Sequence, residues 1–301
     1  MGGPTFLPAW EPLHARRSNR ADEPDRRDVL SDRRPSLVPP SSPATIGFEP
    51  WVREPVDRGL PESQLELHYQ PVVRLDGSGV YGAETFLRWR HPERGVLRAG
   101  QWLPYAIRSG AAVALSAAVL PAWAACARRL PGLVLSFNVT GWDLVDDQYV
   151  ASIRSVAAEG AAGLAVEIPY LQFHPEVARA IAPEWGWLEL ADLDARLASL
   201  QALGFSVWLD YFGYDGTDDE AAAVGSSVDV VKLDMSLLGW ERGRLAGLVE
   251  RLHDHGKVVL VEGVESAAHE RLAVEAGIDL ASGYRYARPL TEQQFVEYLK
   301  S

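Results

Sequence analysis

The feature that most constrains the fold is a regular alternation of short apolar runs with longer amphipathic stretches, which begins near residue 60. The apolar runs have the length of β-strands, and most are separated by segments long enough for a helix. Eight runs are predicted as strands: Leu65–Leu75, Tyr81–Arg90, Leu133–Val139, Leu164–Ile168, Ser206–Phe212, Val228–Leu233, Val258–Val264 and Leu280–Ala287. Apolar strands that alternate with helices predict a mostly parallel sheet with helices outside it.

The segments between these runs predict the helices and the way in which the sheet starts. Asp76-Gly77-Ser78-Gly79 is only a short turn between the first two runs, so it predicts an antiparallel hairpin. Five later segments have helical length: Leu115–Leu130, Gln148–Glu159, Leu188–Leu203, Leu238–His255 and Ser266–Ala276. One antiparallel pair followed by β-then-α units predicts a slightly irregular α/β barrel, which we place at residues 60–300.

Residues 1–47 have a different composition, rich in Pro, Arg, Asp and Ser, with seven arginines and six acidic residues. Such a segment buries too little apolar surface to offset the entropy that it would lose on ordering. It is therefore predicted to be a disordered N-terminal tail, either a solvated arm without a role or a docking arm.

Charge and hydropathy exclude several classes of function. The formal net charge of −12 argues against a broad nucleic-acid surface, so no DNA partner is expected. The most apolar stretch, residues 111–126, is short for a membrane span and contains Pro121. Since the chain also begins without a signal-peptide pattern, no membrane span is expected and the cytoplasm is the expected location.

Polar residues lie within or at the ends of six successive apolar runs: Glu84, Asn138, Glu167, Asp210, Lys232 and Glu262. In a TIM-type barrel the C-terminal ends of the strands meet at one mouth, where the catalytic groups lie. Carboxylate and amide oxygens are hard ligands suited to Mg²⁺, Mn²⁺ or Ca²⁺. Any one of these residues alone is more often a helix cap or a satisfied acid, but the set favours a site at the barrel mouth.

An ordered set of motifs resembles those of the EAL-domain phosphodiesterases, which hydrolyse the bacterial messenger cyclic di-GMP. The segments are His68-Tyr69-Gln70-Pro71, Glu84-Thr85-Phe86-Leu87-Arg88-Trp89, Phe137-Asn138-Val139-Thr140, Glu167-Ile168-Pro169-Tyr170, Asp210-Tyr211-Phe212-Gly213, Lys232-Leu233-Asp234, Glu262-Gly263-Val264-Glu265 and Ser282-Gly283-Tyr284-Arg285-Tyr286-Ala287-Arg288-Pro289. The resemblance covers about residues 62–298. It implies a modified TIM (β/α)8 barrel with an antiparallel first strand and cyclic di-GMP as the ligand.

The resemblance also implies a role for each matched residue. Lys232 would position the attacking water, Glu262 would act as base or metal-linked acid, and Glu265 would support them. Arg88 would hold a ligand phosphate with its fixed fork of donors. The first-metal ligands would be Glu84, Asn138, Glu167 and Asp210, and further ligand contacts would come from Gln70, Asp234, Ser282, Arg288 and Pro289. One Mg²⁺ or Mn²⁺ ion is expected, and a second ion is poorly supported.

Three substitutions depart from the family pattern. Tyr211 replaces the second Asp of Asp-Asp-Phe-Gly, Tyr170 replaces the Glu that braces the following loop, and Ser282 replaces a ligand-contacting Gln. Two-metal hydrolysis uses both ions to clamp the attacking and leaving oxygens, and a phenol is a poor substitute for a carboxylate at neutral pH. The sequence therefore predicts a degenerate domain that binds cyclic di-GMP or a protein partner, with weak or absent hydrolysis.

Two other functions stay open at this point. In the first, the protein is an active phosphodiesterase that yields pGpG, with Glu262, Glu265 and Asp234 holding the second metal. In the second, it is a protein-interaction module that binds no nucleotide and uses the altered loop 214–220 or the segment Trp185–Trp187. A homodimer through loop 214–220 is compatible with the resemblance. The sequence identifies neither a protein partner nor the signal input.

Overall fold

The computed structural model describes residues 49–170, 190–213, 223 and 227–301. The predicted tail, the segment Trp185–Trp187 and the loop 214–220 lie outside the described residues.

Eight strands close into a barrel in which the first strand is antiparallel to both of its neighbours. β1 (Leu65–Arg74) pairs with β2 (Val80–His91) on one side and with β9 (Leu280–Ser282) on the other. The other strands run parallel to one another in the order β2, β4 (Val134–Asn138), β5 (Leu164–Pro169), β6 (Ser206–Phe212), β7 (Val230–Leu233), β8 (Val258–Val261) and β9. The predicted modified TIM barrel with an antiparallel first strand is confirmed.

Helices cover the outside of the barrel. The described helices are α1 (Pro50–Arg58), α2 (Leu103–Ser109), α3 (Ala112–Arg129), α4 (Gly141–Val145), α5 (Asp147–Ala158), α6 (Leu190–Ala202), α7 (Arg242–Asp254), α8 (Ala267–Glu275) and α9 (Glu292–Tyr298). Their inner faces follow the helical period: in α7 the buried residues are Leu245, Leu248, Val249 and Leu252. No single helix in the described ranges is long and apolar enough to cross a membrane, although the bent pair α2 and α3 meets that test by length and composition alone.

Two predicted strands are too long at their C-terminal ends. Val258–Val264 was expected, but β8 stops at Val261, since Gly263 turns the chain with a φ of 75°. Leu280–Ala287 was expected, but β9 stops at Ser282, before Gly283 with a φ of 150°. A Cβ added at Gly283 would lie 2.2 Å from the carbonyl oxygen of Val264, so glycine is required at this close approach.

A small sheet extends the barrel on the mouth side, and the sequence patterns did not predict it. The C-terminal part of β2 pairs with β3 (Gly95–Arg98), beyond the residues of β2 that pair with β4. The N-terminal part of β1 pairs with β10 (Leu290–Thr291). We call this four-stranded extension, made of β3, β10, residues 65–69 and residues 85–91, the rim sheet.

Helix α1 begins ten residues before the expected start of the barrel domain and packs onto the rim sheet. Val52 and Val56 are buried on its inner face. The ring of Trp51 stacks on Trp89 of β2, with 6.3 Å between the ring centroids. The packed body of the protein therefore includes α1.

The barrel interior far from the mouth is filled by an apolar layer. Its members are Val72, Ala165, Trp208, Val230, Leu260 and Leu280, all buried. The largest, Trp208, donates from Nε1 to Ser206 Oγ at 3.0 Å, so its one polar atom is satisfied. This apolar layer is a packed core, and it forms the floor beneath the polar residues at the mouth.

Candidate functional site

The polar strand-end residues converge on the ammonium group of Lys232. This side chain is 1% exposed, and its Nζ atom contacts four carboxylates. The Nζ–oxygen distances are 3.1 Å to Glu84, 2.5 Å to Glu167, 3.0 Å to Asp210 and 3.0 Å to Glu262. We call these five residues the mouth cluster.

The position of the mouth cluster follows from the two-residue period of a strand. Glu167, Asp210, Lys232 and Glu262 each lie two residues after a member of the apolar layer, so their side chains point into the same interior. Ser282 follows Leu280 in the same way, and Gln70 precedes Val72 on the antiparallel β1. The strands therefore place a polar layer directly above an apolar one.

Neighbouring donors orient the carboxylates of the mouth cluster. Asn138 donates from Nδ2 to Glu84 at 3.2 Å, and the backbone N–H of Tyr211 donates to Asp210 at 3.0 Å. The hydroxyl of Ser136 donates to Glu167. Sequence reasoning missed Ser136, although its position two residues before Asn138 places it on the same inner face of β4.

The mouth cluster gathers four acidic side chains around one ammonium group in a largely buried site. Burial raises the pKa of Glu167 to about 8 and the pKa values of Asp210 and Glu262 to about 7, and adjacent carboxylates add to each effect. Burial alone would lower the pKa of Lys232, but the surrounding carboxylates outweigh it and raise that pKa. The acids therefore gain from any further positive charge brought to the mouth.

The donor set fits a divalent cation in its chemistry. Three carboxylates and an amide oxygen are hard ligands, and a cation would oppose the burial and mutual repulsion that raise the pKa values of the acids. In the described ranges, no three acidic, His or Cys side chains are arranged around a common point as metal ligands. The carboxylates surround Lys232 instead, so an ion held by Glu84, Asn138, Glu167 and Asp210 would require their oxygens to turn away from it.

Tyr211 has an unusual backbone. Its φ is 62°, and it is the one non-glycine residue with a positive φ among those described. The register of β6 against β7 shifts between Leu209 and Phe212, which places one extra residue in β6, as in a β-bulge. A bulky residue in the left-handed region is strained by about 1–3 kcal/mol and persists only where its surroundings enforce it.

The phenol of Tyr211 lies within electrostatic reach of the mouth cluster. Burial raises its pKa well above the usual value, and the negative charges of Asp210, Glu262 and Glu84 raise it further. At neutral pH this side chain is therefore a neutral hydroxyl beside the carboxylates, and it supplies no negative charge for a metal.

Tyr170 belongs to the apolar core. It is fully buried, and its ring meets that of Phe212 edge to face with 5.3 Å between centroids. The adjacent Gly213 has a φ of 79°, and a Cβ there would lie 2.6 Å from Leu237. The chain after β6 is thus held by close apolar packing where the resemblance has a charged glutamate.

The expected ligand-contacting residues lie on both sides of the mouth. Arg88 is 4% exposed on β2, and its guanidinium lies 5.1 Å from the centroid of Phe86. Gln70 donates from Nε2 to the carbonyl of Ala287 at 3.1 Å, and Ser282 is buried. Arg288 is exposed and stacks on Tyr284 at 4.1 Å, and Pro289 follows it, half-buried.

Two expected site residues are not part of the mouth cluster. Asp234 accepts a hydrogen bond from the backbone N–H of Ser236 at 2.8 Å and caps the short 3₁₀ helix Met235–Gly239. Glu265 is exposed, and its backbone N–H donates to His269 Nδ1 at 3.4 Å. Neither residue contacts the ammonium of Lys232.

Comparisons with known proteins agree with this fold. The chain is 30% identical over 261 residues to the cyclic di-GMP phosphodiesterase RocR of Pseudomonas aeruginosa. The alignment covers 81% of this chain and 62% of RocR. The PaMucR phosphodiesterase in complex with c-di-GMP superposes with a TM-score of 0.67 at 22% identity, covering 80% of this chain and 98% of that one. The FimX EAL domain from Pseudomonas aeruginosa bound to c-di-GMP superposes with a TM-score of 0.62 at 20% identity. This match covers 80% of this chain and 95% of that domain.

The chain spans less than two thirds of the length of RocR. The family model of the EAL domain matches residues 53–289, which include the barrel, every member of the mouth cluster and all of the rim sheet except β10. The chain therefore belongs to the EAL domain family.

Proposed function

We propose that this chain is a degenerate EAL domain that binds cyclic di-GMP at the barrel mouth and hydrolyses it weakly or not at all. The observation that carries this proposal is Tyr211, a neutral phenol at the bulge where the family motif has its second aspartate. The mouth cluster, Asn138 and Arg88 retain the residue types of the family, which supports retained binding.

Ligand binding is assigned to the rim-sheet side of the mouth. The guanidinium of Arg88 is buried and packed over Phe86, so a phosphate that reaches it meets a fixed fork of donors at little entropic cost. Gln70 lies on β1 opposite Glu84, and Ser282 lies on the neighbouring strand β9. The ligand's phosphodiester would lie between Arg88 and the mouth cluster.

A divalent ion, when bound, would polarise a phosphate oxygen and lower the pKa of a bound water. Glu84, Asn138, Glu167 and Asp210 are the residues that would hold it. Lys232 keeps these carboxylates together and offsets their repulsion. Glu262 lies at the open edge of the cluster, and with a pKa near 7 it can take a proton from a water at neutral pH.

Hydrolysis is expected to be slow because the second metal lacks a ligand. The Tyr211 phenol stays protonated at neutral pH and cannot replace a carboxylate. Removal of one preorganised charge-stabilising group typically costs about 10²–10³ in rate, and loss of a whole ion could cost more. Tyr170 adds to the effect, since its ring packs into the core and offers no carboxylate to the following loop.

An active phosphodiesterase that yields pGpG is the second candidate. Glu262 favours it, because this carboxylate does reach the mouth cluster and could share in a second metal site. The other two acids that this function needs are not in the mouth cluster: Asp234 caps a 3₁₀ helix and Glu265 is exposed. The interaction-module function rests on the loop 214–220 and on Trp185–Trp187, which lie outside the described residues.

Isothermal titration with cyclic di-GMP, in EDTA and then in Mg²⁺ or Mn²⁺, followed by product analysis, tests the proposal. At 100 times the dissociation constant, the ligand stabilises the fold by about 2.7 kcal/mol, which is roughly 5–10 °C in Tm. Arg88→Gln should abolish this shift, whereas the control Arg94→Gln should keep it. No binding by the wild type would favour the interaction module, and turnover at about 1 s⁻¹ or faster would favour the active enzyme.

A further inference from the structure

We propose that Arg98 joins Arg88 in a two-arginine site on the rim sheet, where the pair holds the two non-bridging oxygens of one phosphate of the cyclic dinucleotide. This inference rests on the proposed binding of cyclic di-GMP and adds a residue to it. Arg98 lies on β3, outside the motifs that carry the family resemblance.

The register of the rim sheet places the two arginines side by side. Arg88 on β2 is directly opposite Arg98 on β3, and the next opposite pair is Trp89 with Leu97. Opposite residues of an antiparallel pair share one face, with Cβ atoms about 4.5–5.5 Å apart. The side chains of Arg88 and Arg98 therefore leave the backbone at adjacent positions on the same face of the sheet.

That face is the one turned towards the mouth. Trp89 and Leu97 are buried on the other face, where the Trp89 ring meets Trp102 at 5.9 Å in the aromatic cluster under α1. Because side chains alternate along a strand, Arg88 and Arg98 point away from this cluster. They share the inner face of β2 with Glu84 of the mouth cluster.

The chain segment that carries the two arginines is locally positive. Residues 85–110 contain five arginines and one acid, a local net charge of +4 in a chain of −12. Two guanidinium groups on directly opposite residues both attract an anion that comes near this face.

The two arginines differ in exposure in a way that suits a phosphodiester. Arg88 is buried and fixes one side of the site, whereas Arg98 is half-buried and can be reached from solvent. Two guanidinium forks on adjacent strands can donate to the two non-bridging oxygens of one phosphate. Such charge-assisted contacts make affinity fall as salt is raised.

The chain supplies a matched control in Arg94, which belongs to the same hairpin. Its guanidinium lies 4.3 Å from the ring centroid of Trp51, on the α1 side. Arg98→Gln and Arg94→Gln remove the same charge from the same hairpin, but only the first removes it from the mouth face. Arg98→Lys keeps the charge and loses the fork.

The test is isothermal titration of the wild type and these three variants with cyclic di-GMP at about 0.05 M and 0.3 M NaCl, which span short and long screening lengths. We expect Arg98→Gln to weaken binding by about tenfold and to flatten the salt dependence. Arg94→Gln should change affinity by less than about twofold, and Arg98→Lys should fall between them. Thermal melts check that each variant is folded.

An Arg98→Gln affinity equal to that of Arg94→Gln at both salt concentrations overturns the inference while leaving cyclic di-GMP binding intact. Wild-type affinity in Arg98→Lys supports an ionic contact and contradicts a bidentate one. If the wild type itself does not bind cyclic di-GMP, the proposed function and this inference both fail. If Arg98→Gln does not fold, the affinity of Arg98→Lys for cyclic di-GMP is compared with that of Arg94→Gln at both salt concentrations instead.

Discussion

Two layers of side chains fill the barrel, and they lie two residues apart on the same strands. Apolar burial stabilises one layer, and ionic contacts hold the other together. The lower layer is apolar and centres on Trp208, whose burial is favourable by itself. The upper layer gathers four carboxylates around Lys232, and its acids have raised pKa values. The lower layer therefore stabilises the fold. The upper layer has more acidic groups than basic ones, and a bound cation would reduce the repulsion between them.

β6 shows the difference within one strand. Trp208 faces the apolar layer, Asp210 faces the mouth cluster, and the strained Tyr211 follows at the bulge. Strain and excess charge thus both lie at the mouth end of this strand. We expect mutations in the lower layer to change stability without changing ligand response, and those in the upper layer to change both.

The largest loss of stability is expected from Trp208→Ala. Removal of a buried tryptophan leaves a cavity and typically costs about 3–5 kcal/mol. Urea denaturation measures the loss, and Trp208→Phe should lose less because more of the volume is kept. The loss should be the same with and without Mg²⁺, and a loss that Mg²⁺ reverses would break the distinction between the layers.

The next largest effect is expected from Lys232→Met. This change should lower the free energy of unfolding by about 3 kcal/mol, the low end for breaking a buried ion pair. The cost is limited because the carboxylates can take up protons once the ammonium is gone. Unlike the loss in Trp208→Ala, this one should shrink when a divalent cation is added. The exposed Lys300→Met is the control, and an equally small change in both variants would contradict the role of Lys232 as the centre of the cluster.

Binding of one divalent ion should have a smaller effect on the wild type. An ion at ten times its dissociation constant stabilises the fold by about 1.4 kcal/mol, roughly 3–6 °C in Tm. Isothermal titration should give a stoichiometry of one, and Asp210→Asn should abolish the binding. Two ions per chain would indicate that Glu262 completes a second site.

The smallest effect is expected at Asp234. Because its side chain caps the 3₁₀ helix after β7, Asp234→Ala should cost about 0.5–1 kcal/mol. Asp234→Asn should keep the stability, since asparagine also caps, and the affinity for cyclic di-GMP should stay the same. A loss of ion binding in Asp234→Asn would instead place this acid at the metal, as the active-enzyme function requires.

The sequence predicted the barrel because its signals are local. Apolar runs and two-residue alternation located β6 at Ser206–Phe212 without error, and they placed Glu167, Asp210 and Lys232 at strand ends. The rim sheet was missed because β3 and β10 have four and two residues, too short for any periodicity. The pairing of Arg98 with Arg88 depends on that register and could not be read from spacing.

The structure of the site depends on distances that no sequence pattern contains. The sequence marked Lys232 as one of six polar strand ends, but its contact with four carboxylates at once appears only in three dimensions. The substitution at Tyr211 was visible as a changed motif. Its left-handed backbone was not, because a tyrosine gives no local signal for a positive φ.

In the proposed function, Tyr211, Tyr170 and Ser282 together limit hydrolysis. The most direct measurement is the rate of pGpG formation by the wild type, by the three single variants Tyr211→Asp, Tyr170→Glu and Ser282→Gln, and by the triple variant that combines them. The account predicts a low wild-type rate, little gain in the single variant, and a gain in the triple variant beyond the sum of the singles, since residues of one site couple. A wild-type rate of about 1 s⁻¹ or faster would contradict it.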